Sequence, residues 1–119
     1  MERSKVYFTD FHTIAFGDGL PTKLKKLIKK AGISELDMDG KFVAIKMHFG
    51  ELGNISYLRP NYAKAVADVV KEFGGKPFLT DCNTMYPGSR KTRWSTWNVP
   101  GRTDLLRFLL AALSLSVMD

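Results

Sequence analysis

Hydrophobic and polar residues alternate at helical spacing in two segments of the chain. Each segment has a proline in its first turn and ends at a glycine, as amphipathic helices often do. The first runs from near Pro21 to Gly32, and the second from Pro60 to Gly74. The apolar positions are Leu20, Leu24, Leu27, Ile28 and Ala31 in the first, and Tyr62, Ala63, Val66, Val69, Val70 and Phe73 in the second. The pattern predicts two helices, each with one apolar stripe.

Three shorter apolar segments are typical of β-strands, and they lie at residues 5–8, 41–49 and 76–80. Alternation in the second segment assigns its side chains to two faces. Val43, Ile45, Met47 and Phe49 share one face, and Ala44, Lys46 and His48 share the other. Because strands alternate with helices, the sequence predicts an α/β fold whose three-stranded, mostly parallel sheet is connected by βαβ crossovers.

The net charge of +6 comes largely from lysines in the first predicted helix. They are Lys23, Lys25, Lys26, Lys29 and Lys30. Such a run attracts nucleic acid in some proteins. Because no aromatic or arginine-rich pattern interleaves these lysines, we favour a solvated helix face over a nucleic-acid site.

The amino-terminal residues MERSKVYF lack the apolar run of a signal peptide, so we expect a cytoplasmic protein. The apolar run at residues 105–115 contains Arg107 and is much shorter than the roughly 20 residues that cross a bilayer. We therefore expect no membrane partner.

Polar residues follow each predicted strand, and ligands of open parallel sheets bind at the carboxyl ends of the strands. Lys46 and His48 share a strand face, so their side chains should point the same way, about 7 Å apart along the strand. Further polar residues follow the strands: Thr9, Asp10 and His12; Gly50, Glu51, Gly53 and Asn54; and Asp81, Cys82, Asn83 and Thr84. The sequence predicts a binding site at this edge.

A divalent metal is one candidate ligand, held by His48, Glu51 and Asp81, because imidazole and carboxylate suit zinc, iron or manganese. The alternative is a histidine that is hydrogen-bonded to a loop backbone. Cys82 follows a carboxylate, which disfavours the thiolate, so we interpret it as a packed cysteine rather than a nucleophile.

A phosphate is the other candidate ligand. Backbone amides of Gly50, Gly53 and Asn54 could hold it, with Arg59 at the start of the second helix. The spacing matches neither a Walker loop nor a dinucleotide-binding fingerprint, so a simple turn stays an alternative.

Several strings resemble the iron–sulfur-centre proteins that contain domain of unknown function 362. They are KVYFTDF, KFVAIKMHFGELGN with the following YLRPNYAKAV, and GGKPFLTDCNTMYPGSRK, so the resemblance covers about residues 4–91. Longer members add a ferredoxin-like module whose cysteines, usually spaced C-x₂-C-x₂-C-x₃-C-P, hold [4Fe–4S] clusters. The habitual loop residues of the family correspond here to Lys46, His48, Gly50, Glu51, Gly53, Asn54, Arg59, Pro60, Asp81, Asn83, Thr84 and Tyr86.

The resemblance implies a redox or electron-transfer context, with an unidentified small molecule or redox partner. The chain has one cysteine, so no [4Fe–4S] cofactor is expected in the chain itself. The expected function is that of the N-terminal domain of an iron–sulfur-centre protein, without the cluster-binding module and inactive alone. The alternative is a small metal- or phosphate-binding enzyme domain with its site at the strand ends, and neither reading assigns a reaction.

The resemblance ends at Lys91, so we divide the chain into a truncated α/β domain at residues 1–91, a fragment of a larger one, and an atypical tail at 92–119. In the shifted reading frame Trp97–Asn98 must encode glutamate, and permitted shifted strings restore a helix and a strand. We therefore interpret the tail as out of frame. The alternative is a divergent C-terminal helix at 103–115 that covers the sheet. A truncated domain should also associate through exposed apolar surface.

Overall fold

The computed structural model describes residues 2–48 and 56–82. In chain order the elements are helix α1 at Leu20–Lys30, a short 3₁₀ helix at Ile33–Glu35, strand β1 at Phe42–Lys46, helix α2 at Pro60–Glu72 and strand β2 at Lys76–Thr80. The chain therefore has a mixed α/β fold.

Strands β1 and β2 pair in parallel, with a register that runs from Phe42 opposite Lys76 to Lys46 opposite Thr80. Parallel neighbours need a crossover connection, and α2 is the helix within it. The predicted bounds of β2 are confirmed. The predicted segment 41–49 contains β1, which is shorter and ends at Lys46.

Helix α2 is the most buried element because it packs against both strands and also against α1. Its buried residues are Ala63, Ala65, Ala67, Val69 and Val70. The predicted stripe was too narrow, since it omitted Ala65 and Ala67 and included Val66, which is only half-buried. A helix with neighbours on more than one side buries more of its circumference than an amphipathic stripe covers.

Helix α1 begins and ends as the sequence predicts, with proline in its first turn and Gly32 in the left-handed conformation just beyond its end (φ 98°). None of its residues is fully buried. Ion pairs join it to α2, between Lys25 and Asp68 and between Lys29 and Glu72.

The amino-terminal ends of the two strands are joined by backbone hydrogen bonds. The Gly40 amide donates to the Gly74 carbonyl at 2.9 Å, and the Lys76 amide donates to the Lys41 carbonyl at 2.8 Å. Gly74 lies at φ 77°, a left-handed conformation that favours glycine. These bonds hold the end of α2 against the segment that enters β1.

The prediction of a third strand at residues 5–8 was wrong. Val6 and Phe8 are 87% and 84% exposed, and the segment pairs with neither β1 nor β2. An extended segment offsets its ordering entropy only when a neighbouring strand accepts its hydrogen bonds. The described residues form a two-stranded sheet.

The sheet has one covered and one open face. Val43 and Ile45 are half-buried and Met47 is buried on the side of α2, whereas the intervening residues of β1 are exposed. Parallel sheets of α/β proteins are normally covered on both faces. The predicted boundary at residue 91 and the tail at 92–119 lie outside the described residues, so the out-of-frame interpretation stays a prediction.

Candidate functional site

The carboxyl ends of β1 and β2 meet at one edge of the sheet. Lys46 lies opposite Thr80 in the register, and the Met47 amide donates to the Thr80 carbonyl at 3.1 Å. The residues that follow each strand, His48 and Asp81, therefore start from the same edge. The sequence predicted that the residues after β1 and β2 share this edge of the sheet, and the register confirms it.

Lys46 and His48 are both exposed on alternate positions of β1 and its continuation. A lysine within a strand is costly unless its ammonium group reaches a carboxylate, a ligand or water. In the described part of the chain Lys46 takes part in no ion pair, and its ammonium group faces water on the open side of the sheet. The cation is available to an anionic ligand.

The amino-terminal end of α2 lies at the same edge. Its carboxyl end is held at the opposite edge through Gly74, and thirteen residues of helix extend about 20 Å. Ala63, in the first turns of α2, forms a buried cluster with Met47, and Leu79 packs against it. The positive dipole end of α2 therefore lies near the carboxyl ends of both strands.

Arg59 precedes α2 as an exposed residue with an extended backbone. Its carbonyl accepts a hydrogen bond from the Tyr62 amide at 3.1 Å. Pro60 occupies the first turn, where the missing amide hydrogen costs nothing. Arg59 thus adds a guanidinium group at the start of the helix.

Asp81 is half-buried and turns back onto the main chain. Its Oδ1 atom accepts a hydrogen bond from the Cys82 amide at 2.8 Å, which uses one lone pair of the carboxylate. Cys82 is exposed rather than packed, contrary to the sequence interpretation. A thiol in contact with water is open to reagents.

Of the predicted metal ligands, His48 and Asp81 are described and Glu51 is not. Within residues 2–48 and 56–82, no three His, Cys, Asp or Glu side chains group together as metal ligands do. The proposed triad therefore stays a prediction. The other predicted site residues outside the described ranges are Gly50, Gly53, Asn54, Asn83, Thr84 and Tyr86.

The polar residues near the amino terminus lie against α1 instead of at a strand end. The Lys23 ammonium group donates to Oδ1 of Asp10 at 2.6 Å, to the Asp10 carbonyl at 3.0 Å and to the His12 carbonyl at 2.8 Å. The hydrogen bond from Lys23, followed by one from the His12 amide, lowers the pKa of Asp10. These hydrogen bonds from Lys23 hold the segment that contains Asp10 and His12 against α1.

Sequence reasoning missed Thr80 as a neighbour of the site. Its hydroxyl-bearing side chain shares the strand face of Lys46, because directly paired residues of parallel strands point the same way. The sequence carried no signal for this pairing, because the predicted segments 41–49 and 76–80 differ in length and only the register places Lys46 opposite Thr80.

A [4Fe–4S] cluster, which the family resemblance implies for longer proteins, requires four thiolate ligands. Cys82 is the single cysteine of the chain. The donor set of this chain therefore does not fit such a cluster.

Neither helix in the described part of the chain combines the length and the hydrophobicity of a membrane span.

Comparison with known proteins places part of the chain in a protein family. The family model described as "Domain of unknown function (DUF362)" matches residues 43–109, from β1 through α2 and β2 to beyond Lys91. No curated protein and no solved structure matches the chain. The matched range covers more than half of the 119 residues. The chain therefore belongs to the family that is defined by domain of unknown function DUF362.

Proposed function

We propose that this chain is the N-terminal α/β part of an iron–sulfur-centre protein and that it does not itself hold the cluster. Membership of the DUF362 family and the resemblance of the strand-end strings support the redox context. The observation that carries the second half of the proposal is the donor set, in which Cys82 is the only cysteine. One thiolate does not assemble a cluster that needs four.

The open side of the sheet supports a role within a larger structure. Two strands seldom make a stable sheet alone, and parallel strands are rarely exposed on one face. Phe42 is 77% exposed on this side. We therefore expect the isolated chain to show no turnover, and electron transfer to need the structure that carries the cluster.

Anaerobic reconstitution with iron and sulfide tests this proposal. The chain should gain no more charge-transfer absorbance after gel filtration than its Cys82→Ser variant, because neither contains a ligand set. A stoichiometric cluster that stays with the wild-type chain and disappears in Cys82→Ser would contradict the proposal. Because each chain has one cysteine, such a cluster would have to be bound by cysteines of several chains.

The second candidate function is binding of a small anion, such as a phosphate group, at the carboxyl edge of the sheet. Its specific support is the exposed Lys46 beside Thr80, with the amino-terminal end of α2 and Arg59 at the same edge. Cations and the positive dipole end of a helix together favour an anion. No reaction is assigned to this site.

A titration with inorganic phosphate, followed by NMR, tests the anion site. Lys46→Ala should weaken binding, whereas Lys76→Ala should not, because Lys76 is an exposed strand lysine at the opposite end of the sheet. Equal losses in the two variants would indicate a general effect of charge and would contradict a site at this edge.

Binding of a divalent metal is the alternative at the same edge, and zinc or manganese titrations distinguish it. His48→Ala and Asp81→Ala should abolish metal binding if these residues are ligands, since loss of one donor from a small site is severe. Phosphate binding that survives Asp81→Ala, with no metal binding in the wild type, would favour the anion.

A further inference from the structure

The side of the sheet away from α2 presents a defined surface, which we call the open sheet face. It consists of the directly paired residues Phe42 and Lys76, Ala44 and Phe78, and Lys46 and Thr80. Phe42 is 77% exposed and Phe78 44% exposed. Their rings, with the methyl group of Ala44 between them, form an apolar centre across both strands.

The charge on the open sheet face has one sign. Lys46 and Lys76 lie at opposite ends, and none of the six residues carries a carboxylate. The Lys76 ammonium group lies 5.5 Å from the centroid of the Phe42 ring, a cation–π distance. Neither lysine forms an ion pair with a described residue.

The helices show the opposite pattern, because many of their lysines have acidic partners. Ion pairs involve Lys23, Lys25, Lys26, Lys29 and Lys64. Lys46 and Lys76 have no acidic partner of this kind among the described residues. Charge complementarity favours an acidic partner.

We infer that the open sheet face binds an acidic amphipathic helix of another polypeptide. A helix fits in length, because five residues of strand extend about 16 Å, and three turns of helix extend about the same distance. Its apolar stripe would cover Phe42 and Phe78, and glutamate or aspartate residues on its flanks would pair with Lys46 and Lys76. This arrangement gives the sheet the two-sided cover that parallel strands normally have.

Two other occupants lack the required charge. A second copy of the chain brings a further net charge of +6. The leucine-rich residues 105–115 contain Arg107 and no carboxylate. Neither occupant supplies the net negative charge that would neutralise the lysines of the open sheet face. The experiment must therefore distinguish binding of an acidic helix from binding of either one.

Fluorescence anisotropy with the full chain and designed helical peptides tests the inference. The peptides have about 18 residues, enough for a helix, and share one leucine stripe, flanked by glutamate in one peptide and by lysine in the other. The glutamate peptide should bind and the lysine peptide should not. In NMR spectra the amide shifts should centre on Phe42–Lys46 and Lys76–Thr80.

Substitutions of exposed aromatic residues supply the matched control. Phe78→Ser should weaken binding of the glutamate peptide about tenfold, as for loss of a central interface aromatic. Phe11→Ser removes an aromatic ring that is 83% exposed in the amino-terminal segment, and binding should not change. Circular dichroism should show both variants folded, because neither ring is buried.

Charge reversal gives the most specific outcome. The variant with Lys46→Glu and Lys76→Glu should lose the glutamate peptide and gain the lysine peptide. Equal binding of both peptides by the wild-type chain would overturn the inference, since it would show simple apolar adhesion. Failure of the glutamate peptide to bind would also overturn it. A dimer of the wild-type chain in analytical ultracentrifugation that becomes a monomer in Phe78→Ser would overturn it as well, because a second copy would then be the occupant.

Discussion

Gly75 and Val70 approach so closely that a β carbon on Gly75 would lie 2.6 Å from Cγ1 of Val70. It would also lie 3.1 Å from Cγ2 of Val43. The contact joins the end of α2 to the point where β2 begins, over a side chain of β1. Gly75→Ala should therefore lower the free energy of unfolding by about 1–3 kcal/mol through overpacking, measured by chemical denaturation.

Gly19→Ala is the control for this substitution. Gly19 has a φ of −71°, which any residue adopts, and its β carbon would have no neighbour closer than 3.8 Å. Gly19 is the N-cap of α1, so the loss of a preferred cap residue opposes the gain from a less flexible unfolded chain, and the free energy of unfolding should change by no more than about 0.5 kcal/mol. A similar loss in both variants would show that the close approach at Gly75 is not the cause.

The core of the described structure depends on α2, and Val69 is completely buried there. Val69→Ala should cost about 2 kcal/mol, because it removes buried methyl groups and leaves a cavity. Val6→Ala makes the same chemical change at a site that is 87% exposed, and should cost almost nothing. Thermal or urea unfolding of the two variants measures the difference, which should vanish if α2 does not dock on the sheet.

Asp68 links α1 to α2 and gives stability a dependence on pH. Burial alone would raise its pKa, but hydrogen bonds from Lys64 and Lys25 outweigh this effect and lower the pKa below its ordinary value. A lowered folded pKa means that the stabilisation is complete above the unfolded pKa, about 4 for aspartate. It is lost as the pH falls through the lower folded pKa.

The wild-type chain should therefore exceed Asp68→Asn in stability most at neutral pH, and the difference should shrink in acid, measured by denaturation at several pH values. Asp37→Asn removes an exposed pair with Lys41 and should change stability little at any pH. A difference between wild type and Asp68→Asn that is constant with pH would contradict the assignment.

Lys23 should control the ionisation of Asp10. Lys23→Met removes the hydrogen bond that contributes most to the lowered pKa of Asp10, so this pKa should rise toward its ordinary value. NMR titration of the carboxyl carbon measures the change. Lys26→Met removes a neighbouring lysine of α1 that pairs with Asp18 instead, and the pKa of Asp10 should stay low.

The elements that sequence predicts best here carry their own boundary signals. Pro21 and Gly32 bracket α1, and Pro60 and Gly74 bracket α2, because proline fixes the first turn and glycine adopts the left-handed conformation after the last. The alternation in residues 42–46 likewise predicts which side of β1 faces α2. These are local properties.

The predictions that were wrong or incomplete concern contacts between segments that are distant in the sequence. Residues 5–8 have the composition of a strand but no neighbour to pair with in the described structure. Ala65 and Ala67 lie outside the predicted apolar stripe and are buried, in a helix that packs against α1 and against both strands. No local pattern reports the position of a neighbouring helix or the absence of a neighbouring strand.

The candidate site was predictable in outline, because the carboxyl ends of parallel strands share an edge. Lys46 and Asp81 follow that rule, whereas the pairing of Lys46 with Thr80 needed the register. The hydrogen bond from the Cys82 amide to the Asp81 carboxylate could not be predicted from the sequence. A carboxylate and the adjacent amide are present in every Asp-Cys pair, and only the backbone conformation decides whether they bond.

The hydrogen bonds of Gly40 and Lys76 fasten the sheet at the edge away from the candidate site. Strand register is therefore set by residues that have no part in ligand chemistry. Substitutions at the carboxyl edge, at Lys46 or Asp81, can therefore change the ligand chemistry while Phe42 stays opposite Lys76. Such a division lets evolution exchange one set of recognition side chains for another on an unchanged scaffold, and it makes this edge the natural place to graft a new specificity.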